Sequence, residues 1–385
     1  MDKQLKHTML PQTTHDELAR QNFVQSLKIH LQAQMIPEVK EVYEQQAKPR
    51  FEQQYQRLPQ NRYEIRQVME QEPYYQWVSA LKRTTQEMLW DSVSTSVERQ
   101  LQDLIAKTQK NDQSLGSLSI DPNFSVPAYQ KVVDIHCMPG GYHTEFIEDD
   151  VALGAIYDRG VYIYGLGWLG PLNDDLAQSA IFNYLKQDYP DFEPAKILDL
   201  GCSVGHSTLP YVDAYPNAQV YAIDVAAPML RYAHARAQAL GKRVHFSQQN
   251  AEHTNFADES FELIVSHILL HEIPVPVIRN VVRECYRLLA PGGVMVHVDA
   301  PLYRHMDPYT AFLSDWQTTN NNEPFWSAMR DSDLKALAIS VGFEVDQVIE
   351  TFAANGVWLK KNCTDNHKSR IVNSRGNWFI FAAKK

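Results

Sequence analysis

Over roughly the first 110 residues, apolar side chains recur at helical spacing in a background rich in glutamine. Thr14 and Glu17 stand three apart as a capping box, and Val24, Leu27, Leu31 and Met35 then share one face until Pro37 interrupts the pattern. A second run begins near Tyr74, with Trp77, Leu81, Met88, Leu101, Leu104 and Ile105 at helical spacing. Residues 1–120 are therefore expected to be a helical domain whose apolar stripe packs as core, lines a pocket or joins two copies as a homodimer. The stretch NDQSLGSLSIDPNFSVP over 111–127 has no period and reads as a linker.

From about residue 175 the period changes. LAQSAIFNYLKQDY reads as a helix, and KILDLG, QVYAID, VHFSQQ, FELIVSH and VMVHVDA are short apolar strand candidates with helices between most of them. Further on, DSDLKALAISVG reads as a helix ending at Gly342, followed by EVDQVIE and NWFIFAAKK as strands. Seven strands alternating with helices predict an α/β fold with a doubly wound, mostly parallel sheet.

Composition narrows the partners. The 385 residues are 44% hydrophobic and 21% charged, enough for a sizeable core. A formal net charge of -10 without a basic run argues against nucleic acid. The opening residues have no apolar leader, and no apolar run reaches the ~18 residues of a membrane span, so a cytoplasmic protein is expected. Cys137, Cys202, Cys285 and Cys363 are too scattered for a CxxC pair and read as reduced thiols.

In ILDLGCSVGHS a strand ending at Asp199 runs into Gly201, Ser203 and Gly205 and then a helix start at His206–Thr208. Glycines there admit a ligand where a Cβ would collide, and a helix N-terminus adds partial positive charge. The next strand ends at Asp224, where a carboxylate can accept two ribose hydroxyls. The third ends in Gln249-Asn250-Ala251-Glu252, polar enough to meet the edge of adenine or simply to turn the chain.

Taken in order with ADESFELIVSHILLHEI and LLAPGGVMVHV, these residues resemble the class I S-adenosylmethionine-dependent methyltransferase family, in its small-molecule, ubiquinone-methyltransferase-like branch. The resemblance implies a Rossmann-like core whose last strand inserts antiparallel beside the fifth. It implies that Asp199 and Gly201, with Ser203 and Gly205 in the turn, shape the pocket for the methionine part of S-adenosylmethionine. Asp224 would hold the ribose, Asn250 and Ala251 the adenine, and Ser266 and His267 would close over the sulfonium side. Ser203 stands where the family often has glycine, and Asn250 where it often has aspartate. A nicotinamide-dependent oxidoreductase shares the glycine loop and the acidic residue, but would carry a third glycine before its helix. A cofactor-binding module without catalysis, recruiting a partner protein, uses the same parts.

Acceptor chemistry is expected at the carboxyl ends of the fourth and fifth strands. His267 is the candidate base, because a histidine titrates near neutral pH. His271, His297, Tyr303, Trp316, Trp326 and Tyr164 are candidate acceptor contacts, with a lid over about 302–330. His297 and Asp299 alternate along a strand and so share a face, and Asp134 and His136 have the same spacing, a pairing that would suit a divalent metal. No ligand triad is fixed by sequence, so no metal site is assigned. The segment MPGGY through Tyr157, Tyr162, Tyr164 and Trp168 reads as part of a pocket-capping joint over 121–174, ahead of a core over 175–385. The expected reaction moves a methyl group to nitrogen or oxygen, with carbon also allowed, of a small organic metabolite.

Overall fold

The structure is a computed structural model and describes residues 4–110, 115–355 and 377–385. Cys363 lies outside the described residues. Eight strands form one sheet: β1 Gly116–Ser119, β2 Lys196–Leu200, β3 Gln219–Asp224, β4 Val244–Gln248, β5 Phe261–His267, β6 Leu289–Asp299, β7 Val348–Ala354 and β8 Asn377–Lys384. Their order is β1-β4-β3-β2-β5-β6-β8-β7. Strands β1 to β6 are parallel, and β8 inserts antiparallel between β6 and β7. Seven of these correspond to the strands read from the sequence, although β7 starts at Val348, after a 3-10 turn over Val345–Gln347 where EVDQVIE predicts extended chain. The eighth, β1, falls in the segment read as a linker. It is four residues long and alternates half-buried with exposed positions, and it closes on β4 because Gly116 has φ +82° and a Cβ there would lie 1.9 Å from the Val244 carbonyl oxygen.

The sheet is buried on both faces, as a parallel sheet requires. Leu176, Tyr184, Tyr211 and Leu230 cover one side over Ile197, Val220 and Leu263. Ile278, Val282, Leu288 and Leu334 cover the other over Leu198, Ile223 and Ile264.

The N-terminal region is helical, and Thr14 and Glu17 do cap the first helix reciprocally. Pro37 does not end it. A π turn over Leu31–Met35 precedes Ile36–Val42, and a second over Tyr43–Ala47 precedes Lys48–Tyr55, which carries Pro49 in its first turn. Proline lacks an N–H, and a wide turn just ahead of it relieves the missing bond, so the chain stays helical from His15 to Tyr55. Most of the expected apolar stripe is spent inside the chain: Val24 packs with Leu89 and Trp90, and Leu31 and Met35 pack with Tyr309, Phe312 and Trp316 of the insertion after β6, while Trp77 stays exposed.

The N-terminal helices and the insertion after β6 pack together as a cap, and a helix over Ala152–Tyr164, not anticipated from the pattern, joins this cap to the core. It is buried on nearly every side, so it has no polar face to reveal a period. Gly154 lets it touch Tyr232, where a Cβ would come within 2.3 Å of the tyrosine Cβ. Gly160 lets it touch Trp90, at 2.4 Å from the indole. After the glycine turn the helix starts at Leu209, later than expected, and runs only to Ala214. So short a helix adds little dipole to the turn.

Candidate active site

A cavity of about 780 Å³ opens at the carboxyl ends of the central strands, a size typical of small-molecule sites. One wall is the turn after β2. Gly201 (φ +68°), Ser203 (φ 48°) and Gly205 (φ +78°) all lie in the left-handed region, and a Cβ on Gly201 would come within 2.8 Å of Leu269 Cδ1. Ser203 adopts there a conformation that costs an ordinary residue about 1 kcal/mol. The turn is held to β3 because Asp224 accepts the backbone N–H groups of Ser203 and Ala226, each at 2.9 Å. Burial raises the Asp224 carboxyl, and those N–H groups offset the rise only in part. Its remaining lone pairs suit the two hydroxyls of a ribose.

Asp199 lines the same wall and accepts from Thr208 Oγ1 at 2.5 Å. His267 lies between two neighbours, its Nδ1 3.7 Å from Asp199 and its Nε2 3.2 Å from the Tyr211 hydroxyl. Asn250 and Ala251 also face the cavity. The Asn250 amide closes its own turn, its oxygen accepting from Glu252 N–H at 2.9 Å. One lone pair is left for a ligand.

The cap supplies the opposite wall. Tyr164, Trp316 and Trp326 line the cavity, as do Lys28 and Lys82, which the sequence pattern gave no reason to single out. Trp316 also serves the core of the cap, its ring tilted against Tyr75 at 4.9 Å and its indole N–H donating to Ser79 Oγ at 2.7 Å. Burial strips water from both ammonium groups, lowering Lys28 to about 8 and Lys82 to about 7. Lys82 Nζ rests 4.3 Å over Trp316, and Lys28 donates to Gln86 at 2.9 Å.

Between the two walls stands a buried group of acids and imidazoles. His271 Nδ1 is 2.6 Å from Asp299, and the His271 ring stacks at 4.5 Å on Trp326. Burial works against a charge on His271, but Asp299 and Glu272 outweigh it and raise its pKa. His136 has Glu323 at 2.7 Å from Nδ1 and Glu272 at 3.5 Å from Nε2. Burial again opposes its charge, and the two carboxylates again prevail, raising it well above the ordinary value.

Three expected site residues and one turn residue do not reach the cavity. Ser266 and His297 are fully buried and face each other inside the sheet, Oγ to Nδ1 at 2.7 Å, with His297 stacked on Phe381. Tyr303 points into the cap, its hydroxyl shared by Asp315 and Ser327 and its ring 3.9 Å beneath Arg62. Gly205 shapes the turn without lining the cavity. The proposed metal pairing dissolves as well: His297 is taken by Ser266 and Asp299 by His271. Asp134 and His136 lie on a turn, with His136 at φ 56°, so strand alternation does not apply to them.

Residues 197–293 match the protein family described as methyltransferase domain. The chain is 32% identical over 108 residues to demethylmenaquinone methyltransferase of Thermus thermophilus, a stretch covering 28% of this chain and 48% of that one. It is 36% identical over 103 residues to malonyl-[acyl-carrier protein] O-methyltransferase of Methylococcus capsulatus, covering 26% and 35%. The match thus spans less than half the length of either relative. Among solved structures, phosphoethanolamine N-methyltransferase 2 of Haemonchus contortus is similar at 16% identity, with 68% of this chain and 60% of that one covered and a TM-score of 0.45. Residues 197–293 thus match a methyltransferase domain, and the parallel strand order with β8 antiparallel beside β6 is the Rossmann-like arrangement expected from the sequence.

Proposed function

We propose that the protein transfers a methyl group from S-adenosylmethionine to nitrogen or oxygen of a small organic acceptor that carries an acidic group. One observation carries this reading: a single cavity is lined both by the turn after β2 and by residues of the cap, two lysines among them.

The cofactor supplies a methyl group already activated on a sulfonium. Asp224 would hold the ribose, Asn250 and Ala251 the adenine edge, and Asp199 and the Gly201–Ser203 turn the methionine part. Lys28 and Lys82 would pair with a carboxylate or phosphate of the acceptor, which would restore the charge that burial makes costly. Trp316, Trp326 and Tyr164 would bound its apolar part and exclude water. Transfer in line needs the nucleophile oriented and its proton removed. His267 is the candidate base on the cofactor side. His271, oriented by Asp299, is another imidazole that lines the cavity.

Calorimetry separates the alternatives first. S-adenosylmethionine should bind and nicotinamide cofactors should not; the reverse would sink the proposal. Incubation with methyl-labelled S-adenosylmethionine and an extract of source cells, followed by mass spectrometry, should then yield a labelled acid. Binding without a labelled product in any extract would favour a module that carries the cofactor without catalysis. His267→Ala should slow turnover at neutral pH, and unchanged turnover would remove it from the mechanism.

A further inference from the structure

We propose that His136, His271, Glu272 and Glu323 bind one divalent first-row transition-metal ion at the acceptor end of the cavity. Each offers one ligand atom, and the four atoms lie within 4.8 Å of one another. A tetrahedral ion with bonds of ~2.0–2.2 Å holds neighbouring ligands ~3.4 Å apart, so side-chain shifts of about an ångström complete the site.

The unspent hydrogen-bonding capacity points the same way. His271 Nε2, Glu272 Oε2 and both oxygens of Glu323 are buried without a hydrogen bond. The Glu323 side chain is 0% exposed and that of His271 1%. Burying a carboxylate in this way is costly unless an ion or a full set of donors meets it. The His136 ring touches both glutamates and the Tyr142 hydroxyl donates to Glu272 Oε1 at 3.2 Å, which answers only part of that need.

The ligands are also oriented as metal ligands usually are. His271 donates its Nδ1–H to Asp299, which fixes the tautomer and leaves the Nε2 lone pair facing Glu272 at 3.8 Å. Asp299 in turn accepts the Leu270 N–H at 3.1 Å. The His136 carbonyl accepts from Gln86 at 2.9 Å and Trp90 at 2.7 Å, so its backbone is anchored although it lies in the left-handed region. Glu323 follows an asparagine run in which Asn322 donates to the Asp134 carbonyl at 2.9 Å, tying the two loops together.

Two imidazoles with two carboxylates favour zinc, manganese, iron(II) or cobalt over magnesium or calcium, which prefer oxygen alone. His136, His271 and Glu272 line the cavity that also holds Asp199 and Asp224. An ion there would bind an oxygen or nitrogen of the acceptor and make its proton easier to remove. That role rests on the proposed methyl transfer, whereas the site itself does not.

The test uses the full chain, stripped with a chelator and titrated with Co²⁺. One equivalent should bind, with the visible absorption of a four- or five-coordinate ion. Glu323→Gln should weaken binding at least tenfold with an unchanged far-ultraviolet circular dichroism spectrum, and Glu272→Gln, at a more open position, should do the same. Failure of the stripped wild type to bind a stoichiometric ion would overturn the site in favour of a His136 imidazolium bridging two glutamates. Wild-type affinity in both variants would overturn it too. S-adenosylmethionine is titrated in parallel. Co²⁺ uptake by a chain that ignores the cofactor supports the site and sinks methyl transfer, while the converse overturns only the site.

Discussion

Asp158 is the side chain whose loss should cost this protein most. It is 1% exposed, and its two oxygens meet His206 at 2.9 Å, His7 at 3.0 Å, the Tyr232 hydroxyl at 2.9 Å, Arg236 Nε at 3.2 Å and Gln4 at 3.2 Å. Burial alone would raise its carboxyl, but Arg236, His206 and His7 outweigh that and hold it well below the ordinary range. Burial lowers His206, so that contact joins a neutral imidazole to a carboxylate, and the compensating charge is Arg236. Asp158→Ala leaves the Arg236 guanidinium, itself 1% exposed, with the Leu172 carbonyl at 3.1 Å as its remaining hydrogen bond. Breaking one side of a buried pair costs about 3–5 kcal/mol, against a total stability of order 5–15 kcal/mol. Asp158→Asn, which keeps an acceptor and loses the charge, should cost about half as much. Adding Arg236→Met to Asp158→Ala should recover at least ~1 kcal/mol, because the stranded cation is then gone. The assay is urea unfolding followed by tryptophan fluorescence. A cost below ~1 kcal/mol for Asp158→Ala, or a double variant less stable than the single one, would refute the reasoning. Because the folded carboxyl titrates below its unfolded value of 3.8, its contribution is complete above that pH and is lost below it. Asp158→Asn should therefore flatten the acid limb of the stability profile below pH 3.8.

Three further outcomes can be checked independently. His297 is lowered by burial from 6.5 to about 4, so its stabilising contribution is full above pH 6.5 and falls by about 3 kcal/mol as the pH drops to about 4; His297→Gln should remove that slope from a pH series of unfolding midpoints. Asp224→Ala removes the acceptor for two ribose hydroxyls, and S-adenosylmethionine affinity measured by calorimetry should fall ~10–100-fold, the worth of hydrogen bonds to a charged group; an affinity within twofold of wild type would contradict the assignment. Lys82→Met should raise the KM for an acidic acceptor with little change in kcat. In the wild type, acceptor affinity should decline as the pH rises through about 7, where the free Lys82 loses its proton.

The parts of this molecule legible in its sequence are those where local pattern and tertiary role coincide. Strands β2 to β6 are apolar runs because both faces of the sheet are covered, and the turn after β2 declares itself because backbone geometry demands Gly201 and Gly205. Asp199, Asp224 and Asn250 follow from their places at strand ends. The helix Ala152–Tyr164 stayed hidden because burial on every side erases the period that would disclose it. Pro37 misled for the opposite reason: a local rule was overruled by a π turn. For Ser266 and His297, alternation tells which residues share a face but not whether that face meets the crevice or the inside of the sheet, and Tyr303 lies past β6 on a turn whose facing no local pattern sets. Lys28, Lys82 and His136 come from three distant stretches of chain. Nothing in their immediate neighbours says that folding will bring them to one cavity.

Gly154 and Gly160 press one helix against Tyr232 of the core and Trp90 of the cap at once. That double contact limits how such a protein can change over evolutionary time. A cap that merely rested on a methyltransferase domain could be exchanged for another by recombination in the linker, giving a new acceptor at one stroke. Here an exchange would have to carry the intervening helix along and match its glycine-sized notches on both sides. New acceptors should therefore arise by substitutions at wall residues such as Lys82 and Trp316, with cap and core inherited as one piece.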